Sequence, residues 1–304
     1  MITLRTIAEF QRLNTAQQSA ILSSLQTKSR LEKWLWSLND KKPRPAKPDG
    51  EPDGWTRCKR CLNHPGWVPE EEARDNSYIH PSAIHKCVRF HWYCCNDFAS
   101  QMEEKIAPQL RMIFDVGHAW HHVVQSYGKK GAWGEGYTPE VSIEPDALGS
   151  DGQPVLPEAA RTWIQGHVDA VLSDYFVPSV PGLGDVSLRL MHEYKTINDD
   201  GFKRLTKPKF EHRQQATCYQ KVLDLPVAVY LYINKNNSSM IDFPLAFDES
   251  LWQEIDRERI QPVQRFSAEG QPPSWDLTSA RKNPSECREC PFRLSVCRPP
   301  LAER

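Results

Sequence analysis

The sequence has no apolar run that approaches the length of a membrane-spanning helix. Its opening stretch, MITLRTIAEFQRLNTAQQSAILSSL, places apolar residues at helical spacing among Gln, Arg and Asn. It lacks the long apolar region and the small-residue cleavage site of a secretory signal. We therefore expect a cytoplasmic protein with no membrane partner.

An excess of charge of either sign is also lacking, because 38 Lys and Arg residues face 39 Asp and Glu residues, for a net charge of −1. This balance disfavours a protein that wraps nucleic acid over its whole surface, but it is compatible with an enzyme that has a local basic groove. A phosphate-binding loop is missing as well. The Gly-rich stretch YGKKGAWGEGY contains no GKS or GKT following a strand.

What the sequence does contain is nine cysteines, several of them at short spacing. In a cytoplasmic chain this pattern indicates metal binding rather than a disulfide framework. Composition divides the chain into a helical N-terminal region (1–38), a Pro-, Gly- and charge-rich linker (39–57), a Cys/His-rich region (58–100), a core (101–265) and a Cys-rich C-terminal tail (266–304).

Hydrophobic periodicity predicts an α/β protein. Helical spacing extends over about 100–127, and strand patterns follow at 140–144, 162–173 and 187–197. A helix is predicted at about 210–224, a buried strand in PVAVYLYIN at 226–234, and a further helix near 249–261. The core order is therefore helix, three strands, helix, strand.

The strand VSLRLMHEYKTIN ends in charged residues. Its period of two places Glu193 and Lys195 on one face, where they form either a cross-strand ion pair or part of an active site. Asp169 interrupts the preceding strand pattern, and if the two strands pair, Asp169 and Glu193 converge. Two carboxylates that repel each other are tolerated when a divalent cation lies between them.

These residues resemble a known family. Gly166-x-x-Asp169 followed by Glu193-x-Lys195 is similar to the core of the PD-(D/E)XK nuclease superfamily, whose restriction-endonuclease-like fold has the same element order. Two further motifs resemble the RecB-type exonuclease family: a helical GxxxH motif that ends at His121, and a QxxxY motif formed by Gln215 and Tyr219.

The resemblance implies a metal-dependent DNA exonuclease that uses Mg²⁺ or Mn²⁺. His121, Asp169, Glu193 and the Tyr194 carbonyl would be the metal ligands. Lys195 would orient or deprotonate the attacking water, and Gln215 and Tyr219 would position the DNA strand. The same resemblance suggests DNA recombination, repair or phage DNA metabolism, with linear ends or single strands as substrate and a recombination protein or a second copy as partner.

The cysteines extend the resemblance to the CRISPR-associated iron–sulfur exonucleases. One cysteine before the core and three in the tail look like a [4Fe–4S] staple that joins the N-terminal side to the C-terminal tail: Cys87, Cys287, Cys290 and Cys297. Zinc is the alternative occupant of four thiolates. A second zinc site remains an open interpretation of Cys58, Cys61, His64 and Cys94, and Cys94 or Cys95 could replace Cys87 as a cluster ligand.

DNA contact requires positive charge near the site. A basic segment follows the Lys195 strand, and one further lysine follows the last core strand: Lys203, Arg204, Lys207, Lys209, Arg213 and Lys235. A basic loop is also commonly just a solvated one. Two alternatives therefore stand beside the exonuclease: a non-catalytic DNA-binding scaffold with a degenerate nuclease fold, and an endonuclease of the same superfamily.

Overall fold

A computed structural model describes residues 1–39, 78–96, 108–143 and 163–274, together with 287, 290–292 and 297. The chain is a mixed α/β protein with a six-stranded sheet and helices packed on both faces. The strands are β1 (Ile2–Leu4), β2 (Tyr137–Ile143), β3 (Gly166–Val180), β4 (Gly184–Ile197), β5 (Val227–Asn234) and β6 (Met240–Ala246).

The described helices flank these strands. They are α1 (Ile7–Gln11), α2 (Thr15–Ser24), α3 (Thr27–Asn39), α4 (Val88–Cys95), α5 (Pro108–Lys129), α6 (Asp199–Lys203), α7 (Phe210–Leu223), α8 (Glu249–Ile255) and α9 (Gln261–Ala268). A 3₁₀ turn at Pro81–Ala83 precedes α4, and a π-helical segment, Asp256–Ile260, joins α8 to α9. None of the described helices is long and apolar enough to span a bilayer.

The sheet order is β2-β3-β4-β5-β6. β4 pairs antiparallel with β3 on one edge and parallel with β5 on the other, so β4 lies in the middle of the sheet. All eight residues of β5 are buried, which explains its continuous run of β-branched and aromatic residues. Burying each large apolar side chain of such a strand contributes about 2 kcal/mol.

The extreme N-terminus differs from the prediction. Residues 2–4 were expected to be helical with the rest of the N-terminal region, but they form β1, which lies parallel to β4 along Val186–Leu188. β1 therefore pairs with the first part of β4, and β5 pairs with the part that follows, from Leu190 to Ile197. Reciprocal capping boxes at Thr6 and Asn14 start α1 and α2.

The helices α1–α3 cover one face of the sheet. Phe10, Ile21 and Leu31 are buried there against residues of β3, β4 and β5. The opposite face is covered by α7, α8 and α9 together with the chain around Ile79–Val88. The N-terminal helices therefore share a core with the sheet.

Several other elements also differ from the prediction, and α4 and α6 were not predicted. The strand β6 has no predicted counterpart, and the helix predicted near 249–261 extends to Ala268 through the π segment. β3 is also longer than the predicted strand and ends at Val180. The linker after Asn39 and the first zinc candidates, Cys58, Cys61 and His64, lie outside the described residues.

Candidate active site

The pairing of β3 with β4 brings the two acidic residues together. Ala170 pairs with His192, which places Asp169 next to Glu193 on the neighbouring strand. Directly opposed residues of an antiparallel pair share one face of the sheet. Glu193 is 1% exposed and Asp169 9% exposed, so two carboxylates lie side by side in a nearly dry environment.

Glu193 is held by two donors through one of its oxygens. Lys195 Nζ and Gln215 Nε2 donate to Oε2 at 3.1 and 3.3 Å. The other oxygen, Oε1, is buried and has no hydrogen-bond partner. Burial and the charge of Asp169 raise the pKa of Glu193 to about 7, although Lys195 opposes this shift. A buried acceptor with no donor is costly unless something else satisfies it.

Lys195 stays charged in this environment. Burial alone lowers its pKa, but the charges of Glu193 and Asp169 outweigh burial, so the net shift is upward. Its ammonium group also lies 5.9 Å from the ring centroid of Tyr230. The site therefore holds a fixed positive charge next to the acidic pair.

His121 reaches the site from α5. Its Nδ1 is 2.9 Å from Asp169 Oδ1, and the Tyr194 backbone N–H donates to Asp169 Oδ2 at 2.6 Å. Burial lowers the pKa of His121, but the hydrogen bond to Asp169 and the charge of Asp169 produce a net rise. One turn before His121, a Cβ on Gly117 would lie 3.4 Å from Thr196 Oγ1. Gly117 therefore lies on the side of α5 that faces the end of β4.

The QxxxY residues lie on the buried face of α7. Gln215 contacts Glu193 directly, whereas Tyr219 is 3% exposed and packs against Gly166, where a Cβ would lie 3.1 Å from the Tyr219 hydroxyl. Burial raises the pKa of Tyr219 well above its usual value. Gly166 therefore provides the space that the Tyr219 ring requires beside β3.

Two residues at the site were not predicted. Gln125, one turn after His121 and 4% exposed, donates to the Asp169 backbone carbonyl at 3.2 Å and to Glu140 Oε1. Glu140 lies on β2, opposite Asp169 of β3, between the paired residues Pro139–Ala170 and Val141–Val168. Its backbone has a positive φ of 49°. The i to i+4 spacing from His121 was a sequence signal for Gln125. The left-handed backbone of Glu140 has no sequence signature.

The opposite face of β4 carries a buried polar chain beneath the site. The Tyr194 hydroxyl is 3.0 Å from that of Tyr137 and 3.4 Å from His192 Nδ1, while His192 Nε2 lies 3.4 Å from Thr27 Oγ1. Trp133 stacks on Tyr137 and Tyr194 and donates from its indole to the Thr27 carbonyl at 3.0 Å. The side chain of Tyr194 therefore anchors the peptide that donates to Asp169.

The donor chemistry of the acidic pair suits a hard divalent cation, which prefers carboxylate oxygens. The unpartnered Glu193 Oε1 is the atom that such an ion would satisfy. Within the described residues, no three His, Cys, Asp or Glu side chains are already arranged to hold a metal ion. Lys195 and His121 instead bond to the carboxylates, so a cation would replace part of these contacts.

The four cysteines of the proposed staple lie near one another. Burial, together with the neighbouring thiols of Cys290, Cys297 and Cys287, raises the pKa of Cys87 to about 12. Cys87 Sγ accepts from the Phe90 backbone N–H at 3.4 Å at the start of α4. Cys94 is buried in the aromatic cluster that Cys290 and Cys297 also contact. Cysteine thiols are the residue type that binds iron–sulfur clusters and zinc. In the described part of the chain, these four thiols are not already arranged as a metal site.

The predicted DNA-binding residues divide into two groups. Four of them, Lys203, Arg204, Lys207 and Lys209, are exposed beyond the end of β4. Lys203 pairs with Asp199 within α6. Arg213, on α7, forms an ion pair with Asp248 at 3.2 Å. Lys235 donates to the Ile113 carbonyl of α5 at 3.3 Å, and burial lowers its pKa.

The fold and site together define a mixed α/β protein with a buried acidic pair, a lysine and a histidine at the ends of its central strands. No protein-family model and no curated protein matches the chain. It is similar to the crystal structure of SSO0001 at 16% identity, with a TM-score of 0.40 over 89% of this chain and 95% of that one.

A second similar structure is that of LHK-Exo, an alkaline exonuclease from Laribacter hongkongensis. The identity is 13% and the TM-score 0.38, over 65% of this chain and 89% of that one. The complex of LHK-Exo with dAMP matches with a TM-score of 0.39 at the same identity and coverage. Function has to be argued from the side chains of this chain.

Proposed function

We propose that the protein is a metal-dependent DNA exonuclease of the RecB type. The observation that carries the proposal is the buried, unpartnered Glu193 Oε1 beside Asp169, with Lys195 and His121 bonded to the same carboxylates. In an ion pair with a purely structural role, each buried polar atom would have a hydrogen-bond partner within the protein. A site that takes up a cation leaves an oxygen available for it.

Asp169 and Glu193, with His121 and the Tyr194 carbonyl, are the residues that would hold Mg²⁺ or Mn²⁺. When bound there, such an ion would supply a water of lowered pKa and would offset charge on the phosphate. Lys195 holds its proton at Nζ, which lies 3.1 Å from Glu193 Oε2. From there it orients the attacking water and stabilises negative charge on the phosphate. Gln215 fixes the orientation of Glu193, and burial of the pair excludes bulk water.

The motifs also support this function. Asp169, Glu193 and Lys195 lie on adjacent strands, and the GxxxH and QxxxY helices flank them, as the resemblance requires. The exposed basic segment Lys203–Lys209 provides a surface for phosphates beside the ends of these strands. The proposed substrate is therefore DNA that enters at the ends of β4 and β5.

We also propose a [4Fe–4S] cluster on Cys87, Cys287, Cys290 and Cys297, with zinc as the alternative. The Phe90 N–H that donates to Cys87 is the kind of bond that stabilises a thiolate ligand. Anaerobic purification followed by iron, sulfide and zinc analysis separates the two metals. Iron and sulfide in equal amounts support the cluster, whereas zinc alone contradicts it.

The exonuclease, the endonuclease and the scaffold are separated by one experiment. A circular plasmid and its linear form are incubated with the anaerobically purified protein and Mn²⁺, beside Lys195→Ala. We expect degradation of linear DNA only, abolished in Lys195→Ala. Cleavage of the circle supports the endonuclease. DNA binding without cleavage of either form supports the scaffold.

A further inference from the structure

Asp169 lies where the regular pairing of β3 with β2 is interrupted. The register between these two strands skips one position, at which Glu140 lies opposite Asp169. Glu140 has a left-handed backbone with a φ of 49°, which costs energy in a residue other than glycine. Strain of this kind is found mainly where the surrounding structure holds a residue for a functional purpose. Its position opposite a candidate metal ligand therefore calls for a role of Glu140 in the site.

A side chain of α5 joins the two strands at the interrupted position. Gln125 Nε2 donates to the Asp169 backbone carbonyl at 3.2 Å and to Glu140 Oε1. These two bonds use both hydrogens of the amide nitrogen, and both partners are acceptors, so the orientation of the amide is fixed. Gln125 is 4% exposed, and its loss would remove a donor from a carbonyl in a nearly dry environment.

The sequence of α5 places Gln125 for this contact. His121, Gln125 and Gly128 are separated by four and three residues, so they lie on one face of the helix. A Cβ on Gly128 would clash with the ring of Tyr137, so the glycine permits the close approach of α5 to β2. The helix therefore holds Asp169 at two points, with His121 at its carboxylate and Gln125 at its backbone carbonyl.

These two contacts differ in how a bound cation would affect them. His121 Nδ1 lies 2.9 Å from Asp169 Oδ1, which is an oxygen that a cation would use. Gln125 bonds to the backbone of Asp169 and leaves both carboxylate oxygens available. The Gln125 contact is therefore compatible with a bound cation, whereas the contact between His121 and Asp169 competes with it.

We propose that Gln125 and Glu140 are positioning residues that fix Asp169 for binding of a divalent cation. Gln125 holds the backbone of Asp169, and Glu140 acts through Gln125 by orienting its amide. Neither residue belongs to the motifs on which the family resemblance depends. Loss of a hydrogen-bond partner of a metal ligand typically weakens metal binding about 10- to 100-fold. The inference rests on the proposed nuclease function and adds two residues to its metal site.

The test measures Mn²⁺ binding to the anaerobically purified full chain by isothermal titration calorimetry, without DNA. Gln125→Met keeps the length of the side chain but removes the donor, and it should raise the Kd for Mn²⁺ about tenfold. Glu140→Gly should raise the Kd about threefold, as expected for loss of one hydrogen bond. Glu135→Gly is the matched control, because it makes the same charge change at an exposed residue before β2, and its Kd should equal that of the wild type.

Three comparisons separate positioning from other roles. Glu140→Gln keeps an oxygen that accepts from Gln125, so it should retain the wild-type Kd. Glu140→Gly removes the left-handed strain, so the metal-free variant should unfold at no lower temperature than the wild type although it binds Mn²⁺ more weakly. The double variant Gln125→Met/Glu140→Gly should bind Mn²⁺ no more weakly than Gln125→Met, because Glu140 acts through Gln125.

Several results would overturn the inference. A wild-type Kd in Gln125→Met would show that Asp169 does not depend on the amide. Equal losses in Glu140→Gln and Glu140→Gly would mean that the carboxylate acts on the cation by its charge. A lower unfolding temperature of Glu140→Gly together with its weaker binding would indicate a purely structural contact. Should Gln125→Met fail to fold, Glu140→Gly decides alone, because it changes only an exposed side chain.

The outcome for the nuclease function is read separately. Wild type that binds Mn²⁺ and degrades DNA, with the same Kd in every variant, refutes only the positioning inference. Wild type that neither binds Mn²⁺ nor degrades DNA refutes the nuclease itself.

Discussion

The buried carboxylate of Glu193 should make the stability of the metal-free protein depend on pH. Its pKa rises from an ordinary value of 4.5 to about 7 in the folded protein. The folded state therefore holds the proton more tightly than the unfolded state, so its contribution to stability falls as pH rises from about 4.5 through about 7. At about 1.4 kcal/mol per pKa unit, the loss is about 3 kcal/mol.

Other titratable groups also make the stability of the protein depend on pH. His121, whose pKa is raised, adds a loss of stability with rising pH, because its favourable contact requires the charged form. His91, His192 and His212 have the opposite sign, since burial lowers their pKa to about 3 and stability falls when acid charges them. A single melting curve therefore mixes several titrations.

The assay compares the wild type with Glu193→Gln by thermal unfolding between about pH 5 and about pH 8, without metal and with saturating Mn²⁺. Without metal, the stability of the wild type relative to the variant should fall by about 3 kcal/mol over this range. That is a shift of about 5 °C for a chain of this size. Saturating Mn²⁺, at about 100 times its Kd, should restore about 2.7 kcal/mol to the wild type only.

Two results would refute this account of Glu193. Parallel pH profiles of the wild type and Glu193→Gln would mean that Glu193 ionises without penalty and is not buried as described. Equal stabilisation of both proteins by Mn²⁺ would place the cation elsewhere.

Four further outcomes are expected. Lys195→Met should reduce cleavage at least about 100-fold, measured on end-labelled DNA, with far-ultraviolet circular dichroism unchanged; near wild-type rates in Mn²⁺ would contradict its role. Tyr137→Phe removes the hydroxyl beside Tyr194 and should raise the Mn²⁺ concentration for half-maximal rate about tenfold, with Tyr127→Phe as control. Gly166→Ala should displace the Tyr219 ring and lower the rate without unfolding the protein, so a normal rate would show that Tyr219 is not required. Cys287→Ser should abolish bound iron in anaerobic preparations, and full iron content would exclude this cysteine as a ligand.

Much of the core could be predicted because its signals are local. The period of two in β4 and the continuous apolar run of β5 are direct consequences of one-sided and two-sided burial. The pairing of Asp169 with Glu193 followed from these strands being consecutive. The strand β1 was not predicted because three residues are too few to show a periodic pattern. Its strand conformation depends on pairing with Val186–Leu188 of β4, which is distant in the sequence.

Glu140 and the left-handed Asp224 illustrate a second limit. Each has a positive φ, which costs energy in a residue other than glycine. Asp224 forms the left-handed cap that ends α7, where the Leu225 N–H donates to the Gln220 carbonyl at 2.8 Å, whereas Glu140 accepts from Gln125 of α5. Asp224 accepts from the Ile7 backbone N–H at 3.1 Å, which ties the end of α7 to the start of α1. The conformation of Glu140, in contrast, could not be predicted from neighbouring residues.

The N-terminal helices contribute to the site through a contact between residues that are far apart in the sequence. Thr27 is fully buried, and it meets His192 across 165 residues of sequence. Through His192 it supports Tyr194, and the Tyr194 peptide holds Asp169. A hydrogen-bonded chain in a dry interior is strong when complete and costly when one member is missing. The N-terminal region, which the family resemblance leaves unexplained, is therefore part of what fixes the acidic pair in place.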